Sequence, residues 1–274
     1  MVNLINNSPD LWKKALPLPN KDSHKHNRGH LLITGSRHMT GASRLTAAGA
    51  RRMGCGLVYL AVPNEVVHVY MADSPGNIII RAEDSGAFRS AIRSSNADAI
   101  IVGPGMRETD ITRDIIQRAL ISTIPTIVDA GGLGVFANKV NRLQKVIAGP
   151  VVVTPHLGEY ERLFGKDDKS APEKAISAAN FLNATVVLKG SKTYIASPDG
   201  RVAETAEANP WLATGGTGDV LTGIIGALVA QKMEPFLAAC AAVWFHRRAA
   251  DIIGVGLIAE DIPNIIPTVW REIL

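Results

Sequence analysis

Aromatic side chains are scarce in this chain, at 5% of 274 residues. A protein that stacks the bases of a nucleic-acid polymer needs aromatic platforms, and few are on offer here. Cysteine is scarcer. Cys55 and Cys240 are the only two, far apart and set among small apolar residues. That arrangement predicts reduced core thiols in a cytoplasmic protein, not a disulfide framework. Charge of one sign is also missing: 29 Lys and Arg face 25 Asp and Glu, a net of +4. So mild and dispersed an excess does not make a nucleic-acid groove, and the densest basic stretch, Lys21–Arg28, reads as a solvated loop. Nor is there an apolar run near the roughly 20 residues that span a bilayer. The longest helical one is Val220–Ala230. Near the N-terminus Asp10, Lys13, Lys14, Pro17 and Pro19 interrupt any secretory pattern. The expected address is the cytoplasm, with neither nucleic acid nor membrane as partner.

Several chemical signatures are absent too. No Gly-x-x-x-x-Gly-Lys-Ser/Thr run excludes a P-loop, and no Gly-x-Gly-x-x-Gly after the first strand argues against a dinucleotide fingerprint of the Rossmann type. The chain has no His/Cys cluster with zinc-site spacing. It has no Gly-x-Ser-x-Gly, which disfavours an α/β-hydrolase.

What the chain does have is apolar bulk: 46% hydrophobic residues against 20% charged. That is enough for a large core, and residues 1–274 read as one α/β domain without linker or internal repeat. From His30 onward short apolar strands alternate with amphipathic helices. Strands are expected at His30–Thr34, Leu57–Val62, Asn77–Arg81, Ala99–Val102, Thr126–Asp129, Val151–Thr154 and Thr185–Lys189. Between them lie helical patterns such as Ala42–Met53, Asp110–Ile121 and Pro172–Leu182. The alternation predicts a mostly parallel sheet covered on both faces. Residues 189–205 read as a hairpin around Ser197-Pro-Asp-Gly200, followed by two long helices, Asp219–Gln231 and Pro235–Ile253.

The most informative segment lies between hairpin and helices: Asn209-Pro-Trp-Leu-Ala-Thr-Gly-Gly-Thr-Gly-Asp-Val-Leu-Thr-Gly223. Three glycines and two threonines crowd the turn Thr214–Asp219, and an apolar helical pattern starts at once. The first amides of a helix lack intrahelical partners and carry the positive end of its dipole, so phosphate is the natural occupant. Asp219 does not suit a pure anion cradle, because it repels phosphate. It suits a site that strips a proton from an attacking hydroxyl, or one that holds a metal on phosphate oxygens. The plainer alternative is that Asp219 only stabilises the first helical turn.

Other loops that follow strands converge on the same rim, where open α/β sheets bind ligands. Gly35–Ala42 carries Ser36, Arg37, His38 and Thr40. Gly103-Pro-Gly105 is compact and side-chain-poor. Asp129 sits at a strand end, and Thr154-Pro-His-Leu-Gly-Glu159 offers His156 and Glu159 near a helix start. Each has a bland reading in turn geometry or a solvated loop. Their shared placement beside the glycine turn favours a site.

These stretches, together with Gly35–Leu45, Asp129-Ala-Gly-Gly132, Lys189-Gly-Ser-Lys-Thr193 and Leu212–Gly223, resemble the ADP-dependent (S)-NAD(P)H-hydrate dehydratases of the ribokinase-like, carbohydrate-kinase-related group. The resemblance runs from about His30 to Ile253; Leu157, where the family often has Pro, departs from it. It implies a three-layer α/β/α sandwich that returns hydrated NADH or NADPH to NAD(P)H, consuming ADP and giving AMP and phosphate. It also implies roles: Asp219 as general base and, with Ala42, Gly105 and His156, as a hydrate-binding residue. Lys189, Gly190, Ser191, Lys192 and Thr193 would bind the AMP part of the nucleotide, and Gly215, Gly216 and Gly218 its transferring phosphoryl group. Mg²⁺ on the phosphates, a homotetramer and a separate NAD(P)H-hydrate epimerase complete the expectation. Two alternatives stay open: a small-molecule kinase such as a hydroxyethylthiazole kinase, and a nucleotide-binding regulator without turnover.

Overall fold

Strands form where the expected apolar runs lie, and the helices between them bury the two faces those runs create. The computed structural model describes residues 3–274. The chain opens with Ile5–Asn6 (β1), Pro9–Trp12 (α1), His30–Thr34 (β2) and Thr40–Arg52 (α2). Leu57–Val62 (β3), Val67–Met71 (α3), Asn77–Arg81 (β4), Ser85–Ser95 (α4), Ala99–Val102 (β5) and Asp110–Leu120 (α5) follow. The middle holds Thr126–Val128 (β6), Gly131–Gly134 (α6), Val140–Val146 (α7), Val151–Val153 (β7), Leu157–Phe164 (α8) and Ala171–Leu182 (α9). Thr185–Leu188 (β8), Tyr194–Ala196 (β9), Val202–Glu204 (β10), Thr217–Ala230 (α10), Pro235–Ile253 (α11) and Asp261–Ile273 (α12) end it.

All ten strands join one sheet in the order β1-β10-β9-β8-β7-β6-β5-β2-β3-β4. The run from β8 to β4 is parallel, while β9 pairs antiparallel with both β8 and β10, giving the expected hairpin. Alternate residues of each strand feed opposite layers, as a period of two requires. Leu31, Ile33 and Ile101 pack with α2, α10 and α11 on one face. Leu32, Ile100 and Val102 pack with α4, α5 and α9 on the other. Each such buried aliphatic side chain contributes roughly 1.5–3 kcal/mol relative to exposure. The result is a three-layer α/β/α sandwich.

Helices α2 and α10 lie against each other closely because small residues face the contact. A Cβ on Gly49 would stand 2.7 Å from the Val220 carbonyl oxygen, and one on Gly223 would overlap the Thr46 carbonyl. The packing fixes the start of α10 relative to Ala42 on α2.

Among the elements not legible in the sequence reading are β1 and α12, and the start of α10 differs from its expected place. β1 is two residues long and exists because it pairs with β10, Ile5 opposite Ala203. The same segment is anchored by Trp12, whose indole Nε1–H donates to Asn7 Oδ1 at 3.1 Å, while Asn7 Nδ2 donates to the Cys240 carbonyl at 2.8 Å. α12 carries Pro267 in its interior, which masks its pattern. α10 begins at Thr217 and not at Asp219, so Asp219 lies within the first turn.

Candidate active site

The strand order reverses around β2. The chain lays β3 and β4 to one side of β2, then crosses to place β5 on the other. Loops leaving β2 and β5 diverge there, and the crevice between them is where such sheets take ligands. A network holds the two loops together. Ser36 Oγ donates to the Gly105 carbonyl at 2.6 Å and accepts from the amides of His38 and Met39, each at 3.2 Å. Tyr70 Oη lies 2.8 Å from the Ser36 amide that donates to it, and 2.8 Å from Ser43 Oγ. Burial pushes the Tyr70 phenol pKa up, so it remains a neutral hydroxyl.

Across the crevice stands the glycine turn. Gly216 is the residue preceding α10, with φ +93°, and no side chain caps the helix. Its first amides therefore face outward, available to an external anion. A Cβ at Gly216 would meet Leu45 Cδ1 at 2.6 Å and Ala259 Cβ at 2.9 Å, so positive φ and crowding both require glycine. Two further contacts brace the turn. Thr217 Oγ1 donates to the Leu212 carbonyl at 2.9 Å. His246 Nε2–H donates to the Thr217 carbonyl at 2.9 Å. Burial lowers the His246 pKa to about 4, so the imidazole is neutral and its role is to hold the turn.

Beneath the turn lies a charged cluster. Lys189 Nζ bonds Asp129 Oδ1 at 3.0 Å, and Thr222 Oγ1 donates to Asp129 Oδ2 at 2.8 Å. Asp129 is 2% exposed. Burial opposes its charge, but Lys189 and the hydrogen bonds it accepts hold its pKa below the ordinary carboxylate value. Burial likewise opposes the Lys189 charge, and Asp129, Glu159 and Asp219 together raise its pKa. Both members are therefore ionised. Lys189 Nζ stands 3.8 Å from where a Cβ on Gly218 would be, which puts a fixed cation under the anion turn.

Asp219 has no such partner. Burial, then the nearby Asp129 charge, push its pKa up to about 7, against a smaller pull from Lys189. A carboxyl poised there takes up a proton readily near neutral pH, as a general base must. It opens on a groove of about 670 Å³ lined by Met39, Ala42, Gly105, Glu159, Arg162 and Asp219, among others.

The expected site residues divide by place. Ala42, Gly105 and Asp219 share the groove. Gly215, Gly216 and Gly218 form the turn at the start of α10, beside Asp219. Lys189 reaches under that turn, but Gly190, Ser191 and Lys192 lie further out on the β8–β9 loop, where the Ser191 carbonyl accepts from the Ala208 amide at 2.7 Å. Thr193 is buried, its amide donating to Thr205 Oγ1 at 3.1 Å. His156 does not line the groove. It caps α8, its Nδ1 accepting from the Glu159 amide at 3.2 Å while Glu159 Oε2 accepts from the His156 amide at 2.9 Å. The exposed imidazole sits outside, and Glu159 turns inward. The sequence reading missed Tyr70 and Thr222. Thr222 had a signal: three residues after Asp219, it shares that helix face.

The sequence profile of the family described as NAD(P)H-hydrate dehydratase matches residues 30–264. The chain belongs to that family. It is 37% identical over 251 residues to the bifunctional NAD(P)H-hydrate repair enzyme Nnr of Gloeobacter violaceus, covering 89% of this chain and 49% of that protein. The chain thus spans about half the length of the bifunctional curated relatives it matches. Against the ADP-dependent (S)-NAD(P)H-hydrate dehydratase of Bacillus subtilis it is 32% identical over 270 residues, covering 95% of each. In three dimensions the chain is similar to the Bacillus subtilis ADP/ATP-dependent NAD(P)H-hydrate dehydratase co-crystallised with ATP and Mg²⁺. The TM-score is 0.87, with 30% identity and full coverage of both chains. A hydroxyethylthiazole kinase from Pyrococcus horikoshii, at 18% identity and TM-score 0.60, shares the fold. The matched span includes the glycine turn Gly215–Asp219.

Proposed function

We propose that this chain converts the S form of hydrated NADH or NADPH to NAD(P)H at the expense of ADP, releasing AMP and phosphate. Hydroxide is a poor leaving group at neutral pH, and the site is arranged to replace it with a better one. The ring hydroxyl attacks the β-phosphorus of ADP. A new O–P bond forms, the bond to the bridging oxygen breaks, and AMP departs. Asp219 accepts the hydroxyl proton. The outward amides of the Gly215–Asp219 turn and the Lys189 ammonium stabilise charge on the migrating phosphoryl group. The lone pair of the ring nitrogen then expels phosphate. Loss of a proton from the neighbouring carbon restores the double bond of the reduced ring.

The observation that carries this reading is Asp219, with its pKa pushed to about 7 at the mouth of an uncapped helix. Mg²⁺ would be held chiefly by phosphate oxygens, with Glu159 and Asp219 the carboxylates that line the groove. Its contribution would be to neutralise phosphate charge. A separate chain would supply the S form as an NAD(P)H-hydrate epimerase, and the working assembly would be a tetramer in the cytoplasm.

The decisive measurement is incubation of the protein with hydrated NADPH, ADP and Mg²⁺. Return of the absorbance of the reduced nicotinamide, with one AMP and one phosphate per turnover, is the expected result. A stable phosphorylated product would identify a kinase of the same fold. Nucleotide binding with no turnover would identify a regulator.

A further inference from the structure

The groove at Asp219 accounts for only one end of a dinucleotide. On the reading above, the hydrated ring lies at Asp219 and ADP enters from the β7–β8 side, where Lys189 stands. The other half of the hydrate, an adenosine joined through two phosphates, must leave the groove in the opposite direction. That direction leads past Gly105 toward β2, β3 and β4.

A second cavity lies there, of about 260 Å³. It shares Met106, Arg107 and Thr109 with the groove. Its inner wall is apolar: Phe88 from α4, Ile115 from α5, and Ala61 and Ala82 at the ends of β3 and β4, all buried. An apolar slot with a few polar groups at the mouth is the usual form of a site for a flat heterocycle. Strands lie about 4.8 Å apart, so the three steps from β6 to β3 cover about 14 Å, the scale of an extended dinucleotide.

The polar groups at the mouth are not equivalent. Arg37 is neutralised by Glu83 and by Glu65, the latter at 3.4 Å. Its amine-bearing end is committed to the protein. Arg107 is exposed and, among the described residues, makes no ion pair. It stands on the lip common to both cavities, two residues after Gly105. A cation in that place, unpaired and between two chambers, is positioned for the phosphates that link the two halves of a dinucleotide.

We propose that this cavity between α4 and α5 takes the adenosine half of the hydrated dinucleotide, with Arg107 on its phosphates. The proposal rests on the function argued above, but its experiment separates the two. Arg107→Ala and Ile111→Trp alter exposed positions, the second filling the cavity mouth from α5. Each should raise KM for hydrated NADPH about tenfold, the effect of one lost charged contact or a blocked pocket, while KM for ADP stays as in the parent. Hydrated reduced nicotinamide riboside lacks the adenosine and both phosphates, so parent and variants should turn it over with equal kcat/KM. Equal losses on the riboside, or an unmoved KM for hydrated NADPH, would overturn the proposal. A second arm needs no turnover: isotope-labelled methyl groups of Ile115 should shift saturably as NADPH is added. Shifts without any dehydration would sink the proposed reaction and leave the cavity assignment standing. Dehydration with silent Ile115 methyls would do the reverse.

Discussion

Asp219 is a carboxyl whose surroundings oppose its charge, and two consequences follow. Its conversion to Asn should lower kcat by about 10²–10⁴, the usual contribution of a general base, while ADP still binds. In the parent, kcat/KM should fall as pH drops below about 7, the value to which burial and Asp129 push Asp219. That limb should vanish from the residual activity of Asp219→Asn. Stability should respond with a definite sign. The folded pKa of about 7 exceeds the ordinary 3.8, so the native state holds the proton more tightly. The stabilisation tied to this residue is complete below about pH 4 and is lost as pH rises through 7. Thermal unfolding should therefore show Asp219→Asn gaining on the parent between pH 4 and pH 8. A constant difference in Tm across that range would contradict the assignment.

The turn before α10 makes its own prediction. At Gly216 an alanine would have to adopt φ +93° and press on Leu45 and Ala259. Strain of this kind costs on the order of 1–3 kcal/mol. Gly216→Ala should lower Tm and weaken ADP binding together, as read by calorimetry, because the strain falls on the amides that face the phosphate. This element was legible in the sequence: threonines and glycines run directly into an apolar helical pattern, and only the helix start was misplaced, by two residues. Strands such as His30–Thr34 and Leu57–Val62 were equally plain, since their apolar runs are continuous and mostly buried. Asp129 was visible as a strand-end carboxylate, but its bond to Lys189 spans 60 positions and no local pattern announces it. His156 shows a contact that no local pattern announces: its Nδ1 satisfies the amide of Glu159 at the start of α8.

At the scale of the molecule the sheet has one improbable edge. β1 contributes two residues, yet it covers β10, and Trp12 behind it packs 5.5 Å from Trp244 and 5.8 Å from Phe245 between ring centres. Deleting residues 1–16 would uncover that edge and empty an aromatic nest on α11. Bare edges invite pairing between chains. The truncated protein should melt several degrees lower and form larger species in light scattering. An unchanged Tm and a single unaggregated species would show that the segment is dispensable.

The pairing of Ile5 with Ala203 also sets a timetable. Much of the sequence lies between β1 and its neighbour β10, and α11 comes later still. Until both are made Trp12 lacks the rings of Trp244 and Phe245. Closing this edge waits on sequence synthesised long after the strand that closes it.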